Sequence, residues 1–132
     1  MRTVVLDTSA LIRFYVPDGP LPKGLEEQVA SAWRSETILL IPELALAEAA
    51  QVLWKKEKAG YLESGEVDEI LNLILELPLE IKGHFEIMPD AMAVARHHNL
   101  SIYDSIFFAL ASKKNAQLIT ADLKLANVFK KL

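Results

Sequence analysis

The sequence predicts an α/β fold in which a central parallel sheet of four or five strands lies between two layers of helices. Short apolar runs without a polar break are typical of strands that are buried on both faces. Helical segments separate most of these runs, and parallel neighbours need such a crossover between them. With 132 residues and a hydrophobic content of 52%, the chain has the size of one domain. We therefore expect a three-layer α/β/α sandwich over residues 1–132.

The N-terminal half of the chain predicts two strands and three helices. The strands are the β-branched and aliphatic runs Thr3–Leu6 and Thr37–Ile41. The helices are expected over Ala10–Tyr15, over Leu25–Arg34 and from Pro42 to about Ala59. Pro42 suits the first helical position, where an N–H has no partner in the helix, and Gly60 suits the C-terminal cap. The first two helices are joined by the loop "PDGPLPKG", which has three prolines and two glycines.

The C-terminal half predicts four helices and two further strands. The strands are a weaker one over Phe85–Met88 and the run "QLIT", Gln117–Thr120. The helices are expected over Ser64–Leu77, Pro89–Asn99, Ser101–Lys114 and Ala121–Lys130. No low-complexity segment or linker divides the sequence, so the elements belong to one unit.

Three aspartates are expected at one edge of this sheet. Asp7 directly follows the first strand, and Asp122 follows "QLIT" after one residue. Asp104 lies in the first turn of a helix, and helix N-termini in such a sheet point to the edge where the strands end and ligands bind. Each region also has a purely structural interpretation: Asp7 or Thr8 as an N-cap, Asp104 in a capping box with Ser101, and Asp122 in a first helical turn. The aspartates taken one at a time leave both interpretations open.

A glutamate inside the long third helix is harder to explain by capping. In "PELALAEAAQVLW", Glu48 is the only charge between Leu44 and Trp54. Its neighbours one turn away are apolar, so its side chain projects from an apolar stripe. Glu43 lies in the first turn, where an acidic residue favours the helix dipole. We therefore expect Glu48, and not Glu43, to join the carboxylates at the sheet edge.

Clustered carboxylates repel one another unless a cation lies between them or some are protonated. The chain has no cysteine, and oxygen ligands favour a hard ion, so Mg²⁺ or Mn²⁺ is expected rather than Zn²⁺. The three histidines, His84, His97 and His98, are expected to have structural roles. The carboxylates alone are therefore the expected metal ligands.

Charge and hydropathy exclude several classes of protein. A formal net charge of −4 argues against a protein that coats nucleic acid by bulk positive charge, although a local basic patch remains compatible with it. No run of about 18 apolar residues is present, so we expect no membrane span. The N-terminus lacks a secretory apolar stretch, and the absence of cysteine suits a reducing compartment. We therefore expect a cytoplasmic protein.

Four stretches in this order, "VVLDTSALI", "IPELALAEAAQVL", "LSIYDSIFFALA" and "LITADLKL", together resemble the PIN-domain ribonucleases. The resemblance covers nearly the whole chain and is closest to the VapC-type toxins of prokaryotic toxin–antitoxin pairs. Carried over, the family pattern implies catalytic roles for Asp7, Glu48, Asp104 and Asp122, with Thr120 as a hydroxyl neighbour. It also implies a PIN-like fold, one or two Mg²⁺ or Mn²⁺ ions, an RNA substrate, a homodimer and a cognate antitoxin.

The expected activity is metal-assisted hydrolysis of an RNA phosphodiester bond. Asp7, Asp104 and Asp122 would hold the ion, while Glu48 would bind it through water or accept a proton. Phosphate contacts are expected among basic residues, namely Arg13, Lys55, Lys56, Lys113 and Lys114. The apolar stretch Glu69–Leu79 is the expected dimer interface.

Two other functions fit parts of the pattern. One is a catalytically weak or inactive PIN-like module that only binds RNA. The other is phosphoryl transfer through an aspartyl-phosphate at Asp7, which is disfavoured because the phosphatases of that type carry a second aspartate two residues later. In this sequence that position is Ser9. A cleavage assay distinguishes the first from a nuclease.

Overall fold

The centre of the molecule is a parallel sheet of four strands, seen in a computed structural model that describes residues 1–130. The strands are β1 (Arg2–Leu6), β2 (Thr37–Pro42), β3 (Leu79–Lys82) and β4 (Gln117–Ile119). They lie in the order β3-β2-β1-β4, and every neighbouring pair is parallel. The apolar residues of β1 and β2 are almost all buried, because these two strands are central and covered on both faces. The predicted parallel α/β architecture is confirmed.

Seven α-helices surround the sheet in the described part of the chain. They are α1 (Thr8–Tyr15), α2 (Leu25–Trp33), α3 (Leu44–Lys58), α4 (Ser64–Glu76), α5 (Met88–His98), α6 (Ile102–Lys113) and α7 (Leu123–Lys130). The main core cluster joins β1 and β2 to α1, α2 and α6. A second cluster, with Ile12, Leu53 and Ile74 at its centre, packs α1 against α3 and α4. Within residues 1–130, no helix combines the length and apolar character that crossing a membrane requires.

The predicted strand over Phe85–Met88 is wrong. Phe85–Ile87 forms a 3₁₀ turn that leads into α5, and the strand that pairs with β2 lies earlier, at Leu79–Lys82. Phe85 is 93% exposed, while Ile87 is buried against α5 and α6, so this segment has no face that a sheet covers. The true edge strand has the sequence "LEIK", in which apolar and charged residues alternate as they do in a half-covered strand.

The predicted start of the third helix at Pro42 is also wrong. Pro42 is the last residue of β2, and it is buried and paired with Lys82 of β3. Its fixed φ suits a strand end as well as a helix start, and the ladder continues through the Glu43 N–H, which donates to the Lys82 carbonyl at 2.8 Å. The helix begins at Leu44, whose N–H donates to His84 Nε2 at 2.9 Å. His84 thus caps α3 from a distant segment.

Candidate active site

The four predicted carboxylates line one cavity of about 340 Å³. Asp7 follows β1, Glu48 lies on α3, Asp104 begins α6 and Asp122 precedes α7. β1 and β4, which precede Asp7 and Asp122, are parallel neighbours and therefore end at the same edge of the sheet, where ligands bind in open parallel sheets. The structure thus places the four side chains that the sequence singles out along one cavity.

Asp7 is the most deeply buried of the four, with 5% of its surface exposed. It is the N-cap of α1, where Oδ1 accepts the Ala10 N–H at 2.9 Å and the Ser9 hydroxyl at 2.7 Å. Oδ2 accepts the Thr120 hydroxyl. Burial raises the pKa of Asp7, these three donors lower it, and the charge of Asp104 adds to the rise. The net effect is a raised pKa, so the ionised form is disfavoured unless positive charge comes close.

Two hydroxyls join the loop after β1 to the loop after β4. Ser9 Oγ accepts the Ala121 N–H at 2.9 Å, and Thr120 Oγ1 accepts the Asp122 N–H at 2.9 Å. Since both hydroxyls also donate to Asp7, that carboxylate fixes the spacing between the two loops. Thr120 was predicted from the family pattern, whereas Ser9 was not. Its signal in the sequence is a second hydroxyl directly after Thr8, a residue type that favours the N-cap position.

Glu48 is oriented by a hydroxyl of the neighbouring helix. Thr8 Oγ1 donates to Glu48 Oε1 at 2.7 Å, which links the start of α1 to the middle of α3. Glu43, by contrast, is exposed, makes no side-chain cap and does not line the cavity. The prediction that separated Glu48 from Glu43 agrees with this placement. Sequence reasoning missed Thr8, which it considered only as a possible N-cap.

Asp104 is half-buried in the first turn of α6. Ser101 Oγ accepts the Asp104 N–H at 3.1 Å, which is one of the two hydrogen bonds of a capping box. The reciprocal bond, from the Ser101 N–H to the Asp104 carboxylate, is not formed in the described chain. Burial raises the pKa of Asp104 and the charge of Asp122 raises it further, against smaller opposing effects from Ser101 and Lys124. The carboxyl group is thus left facing the cavity and its acidic neighbour.

Asp122 is the most exposed of the four and caps the last helix. Its Oδ1 accepts the Lys124 N–H at 2.9 Å and the Leu125 N–H at 3.3 Å. These bonds hold the carboxylate at the start of α7, opposite Asp104. Capping and cavity lining therefore coincide in this residue.

The cavity offers carboxylate and hydroxyl oxygens, which are the ligand type that a hard divalent cation prefers. Burial is the main cause of the raised pKa values of Asp7 and Asp104, and a neighbouring carboxylate adds to each, Asp104 for Asp7 and Asp122 for Asp104. A bound cation would oppose both effects. As the side chains stand in residues 1–130, however, no three acidic or histidine groups are close enough to hold an ion together. Holding an ion by three of these carboxylates together would require side-chain rotation, for which Asp104 has the freedom because it is only half-buried and its cap bond is made by its backbone N–H.

A larger cavity of about 940 Å³ lies beside this one, beyond the loop Pro17–Gly24. It shares Arg13 and Asp18 with the smaller cavity but is lined by none of the four predicted carboxylates. Chemistry rather than volume therefore identifies the smaller cavity as the candidate site.

Three comparisons with known proteins place this geometry in a family. The family model of the PIN domain matches residues 4–131. Ribonuclease VapC3 of Pyrobaculum aerophilum is 33% identical over 128 residues, a match that covers 96% of this chain and 94% of the relative. The crystal structure of PAE2754 from the same organism has a TM-score of 0.72 at 20% identity and covers 96% of this chain and 85% of that one.

A second solved structure has the same fold. VapC20 of Mycobacterium tuberculosis, described as a toxin that cleaves the sarcin–ricin loop, has a TM-score of 0.64 at 14% identity. The match covers 95% of this chain and 94% of VapC20. At these identities the two structures show that the fold is shared, and the sequence matches show the family.

Proposed function

The chain belongs to the PIN-domain family, and we propose that it is a metal-dependent endoribonuclease, the toxin of a VapBC-type toxin–antitoxin pair. The observation that carries this proposal is that four carboxylates from four different elements line one cavity. The similarity to a VapC ribonuclease over nearly the whole chain supports RNA as the substrate.

The proposed cofactor is Mg²⁺ or Mn²⁺, held by Asp7, Asp104 and Asp122. When bound, such an ion supplies positive charge beside the scissile phosphate and lowers the pKa of a coordinated water. Asp7 would offer Oδ2, because Oδ1 already accepts two hydrogen bonds and Oδ2 accepts one. Thr120 keeps Oδ2 oriented and, through the Asp122 N–H, keeps the last aspartate at the same edge.

Glu48 is the proposed proton acceptor. The Thr8 hydroxyl engages one carboxylate oxygen, which leaves the other available to a water molecule in the cavity. A single hydrogen bond from a neighbouring helix orients the carboxylate along the cavity.

The proposed partners are an RNA substrate, a cognate antitoxin and a second copy of the chain. For the homodimer we propose the surface of α4 and β3, because Leu75 is 57% exposed and Ile81 is 50% exposed. For the antitoxin we propose that an arginine enters between the carboxylates and competes with the metal. A cytoplasmic location suits an RNA substrate and the absence of cysteine.

The test is cleavage of total RNA by the purified protein, with mapping of the cut ends, in Mn²⁺ and in EDTA. We expect cleavage in Mn²⁺ only, and a loss of about 100-fold or more in kcat for Asp7→Asn and Glu48→Gln, in line with the removal of a general base or ligand. Glu43→Gln is the matched control on the same helix and should retain activity. RNA binding without any cleavage would favour the inactive RNA-binding module. Loss of cleavage in Glu43→Gln alone would contradict the assignment of Glu48.

A further inference from the structure

Two basic side chains lie in the wall of the acidic cavity, each on a different helix. Arg13 comes from α1 and Lys56 from α3. Lys55 precedes Lys56 on α3, but it is exposed and does not line the cavity. Lys113 and Lys114 are at the C-terminal end of α6, whereas Asp104 is in its first turn, roughly 15 Å away at 1.5 Å per residue. Of the five basic residues that the sequence suggested, the structure thus selects two.

Lys56 is on the face of α3 that carries Glu48. Residues four apart lie above one another on a helix, and Glu48, Val52 and Lys56 all line the cavity. The Lys56 ammonium donates to an Asp18 carboxylate oxygen in the loop Pro17–Gly24. The Lys56 side chain is 22% exposed and that of Asp18 is 47% exposed, so the pair is accessible from solvent.

Arg13 holds the same loop in place. Its Nη1 donates to the Pro20 carbonyl at 2.9 Å. A Cβ on Gly19 would lie 2.8 Å from this nitrogen, so the loop backbone packs directly against the guanidinium group. A guanidinium has five N–H donors, and this bond uses one of them. Arg13 thus positions the loop that carries Asp18 and keeps donors for a ligand.

The charge balance of the cavity makes these two cations important for an anionic substrate. Five carboxylates line the cavity, namely those of Asp7, Asp18, Glu48, Asp104 and Asp122, against two basic groups. A carboxylate oxygen on Lys56 occupies the place that a phosphate oxygen would take, since both are anionic acceptors of an ammonium N–H. Resting on the proposed function, we propose that Lys56 and Arg13 bind phosphates of the RNA strand next to the scissile bond, and that Asp18 occupies Lys56 until a substrate phosphate displaces it.

The test measures binding of fluorescein-labelled single-stranded RNA in EDTA by anisotropy across a salt series, with an RNA gel to verify that the strand stays intact. We expect Lys56→Gln to weaken binding about fivefold, the factor for a pair worth ~1 kcal/mol, and to reduce the slope of log K against log salt by about 0.7. Lys55→Gln is the matched control on the same helix and should change binding less than twofold. Lys56→Arg should restore the slope because it restores the charge.

A double-mutant cycle tests the role of Asp18. Asp18→Asn should tighten RNA binding in the wild-type background and have no effect in the Lys56→Gln background, because its action runs through Lys56. An equal effect in both backgrounds would mean general repulsion and would overturn the proposal, as would an effect of Lys55→Gln as large as that of Lys56→Gln. If the wild type binds RNA but cleaves none in Mn²⁺, the proposed nuclease function fails. The binding measurements still test whether Lys56 contacts phosphate and whether Asp18 competes for it.

Discussion

Replacement of Asp104 by asparagine distinguishes a helix cap from a carboxylate that faces a cation site. Asparagine has nearly the same shape, and the bond from the residue 104 N–H to Ser101 Oγ belongs to the backbone and is retained. The substitution therefore removes a charge and leaves the cap of α6 in place. If Asp104 serves only α6, the protein loses a favourable interaction with the helix dipole.

The sign of the effect follows from the raised pKa of Asp104. Burial is its main cause and the charge of Asp122 the next. Below the unfolded reference of about 3.9 the carboxyl is protonated in both states, so it does not destabilise the folded state there. As pH rises through the folded pKa, the unfolded state releases its proton more readily, and the free energy of unfolding falls. The Asp104→Asn variant lacks this fall, so at neutral pH it should be the more stable metal-free protein.

The expected size is modest because Asp104 is only half-buried. Asp104 and Asp122 are both accessible to solvent, so screening limits the gain from removing one of the two charges to about 1 kcal/mol or less. Loss of the dipole interaction opposes it by about 0.3 to 1 kcal/mol, and the lower end applies because solvent screens the partly exposed Asp104. The net gain of about 0.5 kcal/mol corresponds to a Tm rise of about 2 °C for a chain of this length.

The assay is thermal unfolding in EDTA and in millimolar Mn²⁺, at acidic and neutral pH. We expect Asp104→Asn to melt about 2 °C above wild type in EDTA at pH 7, with a smaller difference near pH 4. Mn²⁺ should raise the Tm of wild type more than that of the variant. An ion that binds the folded state stabilises it, and the variant lacks one of the proposed ligands. Asp90→Asn, in the exposed first turn of α5, measures the dipole loss alone. A lower Tm in EDTA for both variants, with no Mn²⁺-dependent shift in any protein, would refute the reasoning.

Other predictions concern the groups around the cavity and its partners. Thr8→Val removes the hydroxyl that orients Glu48 and should lower kcat about tenfold with little change in KM; a KM effect alone in steady-state kinetics would contradict this. His84→Ala leaves the Leu44 N–H without its cap and should lower the free energy of unfolding by about 1 kcal/mol in urea titrations; an unchanged midpoint would mean that water replaces the imidazole. Light scattering at micromolar concentration should show a dimer that Leu75→Glu dissociates, and a wild-type monomer would rule this interface out. An antitoxin should bind more weakly as Mn²⁺ is added, whereas an affinity indifferent to the ion would place its contact elsewhere.

The central strands could be predicted from sequence, but one edge strand could not. In β1 and β2 both faces are covered, so their burial appears as an unbroken apolar run. Within residues 1–130, β3 is an edge strand of the sheet, and Leu79 packs on the main core while Ile81 is half-exposed. Phe85–Met88 has a higher local apolar content than β3, so the sequence pattern favours it as the strand. The pairing partner, rather than composition, decides which of two neighbouring segments becomes a strand.

The sequence pattern indicates the four acidic residues and Thr120, but not the other groups that orient them. A carboxylate inside an apolar run is conspicuous because its burial is costly. Hydroxyls such as Thr8 and Ser9 are common at helix starts for local reasons, so their type carries little information. The contact between Lys56 and Asp18 joins residues 38 positions apart, and no spacing rule within one element connects them. These contacts depend on how the loop Pro17–Gly24 packs on α1 and α3.

Capping and site chemistry turn out not to be alternatives in this fold. In a parallel sheet each strand is followed by a helix, so the residue after the strand is both the N-cap of that helix and the residue nearest the ligand edge. Asp7 fills both positions: Oδ1 satisfies the Ala10 N–H, while Oδ2 accepts only the Thr120 hydroxyl. Asp122 repeats the arrangement at α7. The cap bonds hold these carboxylates at a common edge before any ligand arrives. The hydrogen bonds that start the helices therefore also preorganise the cavity.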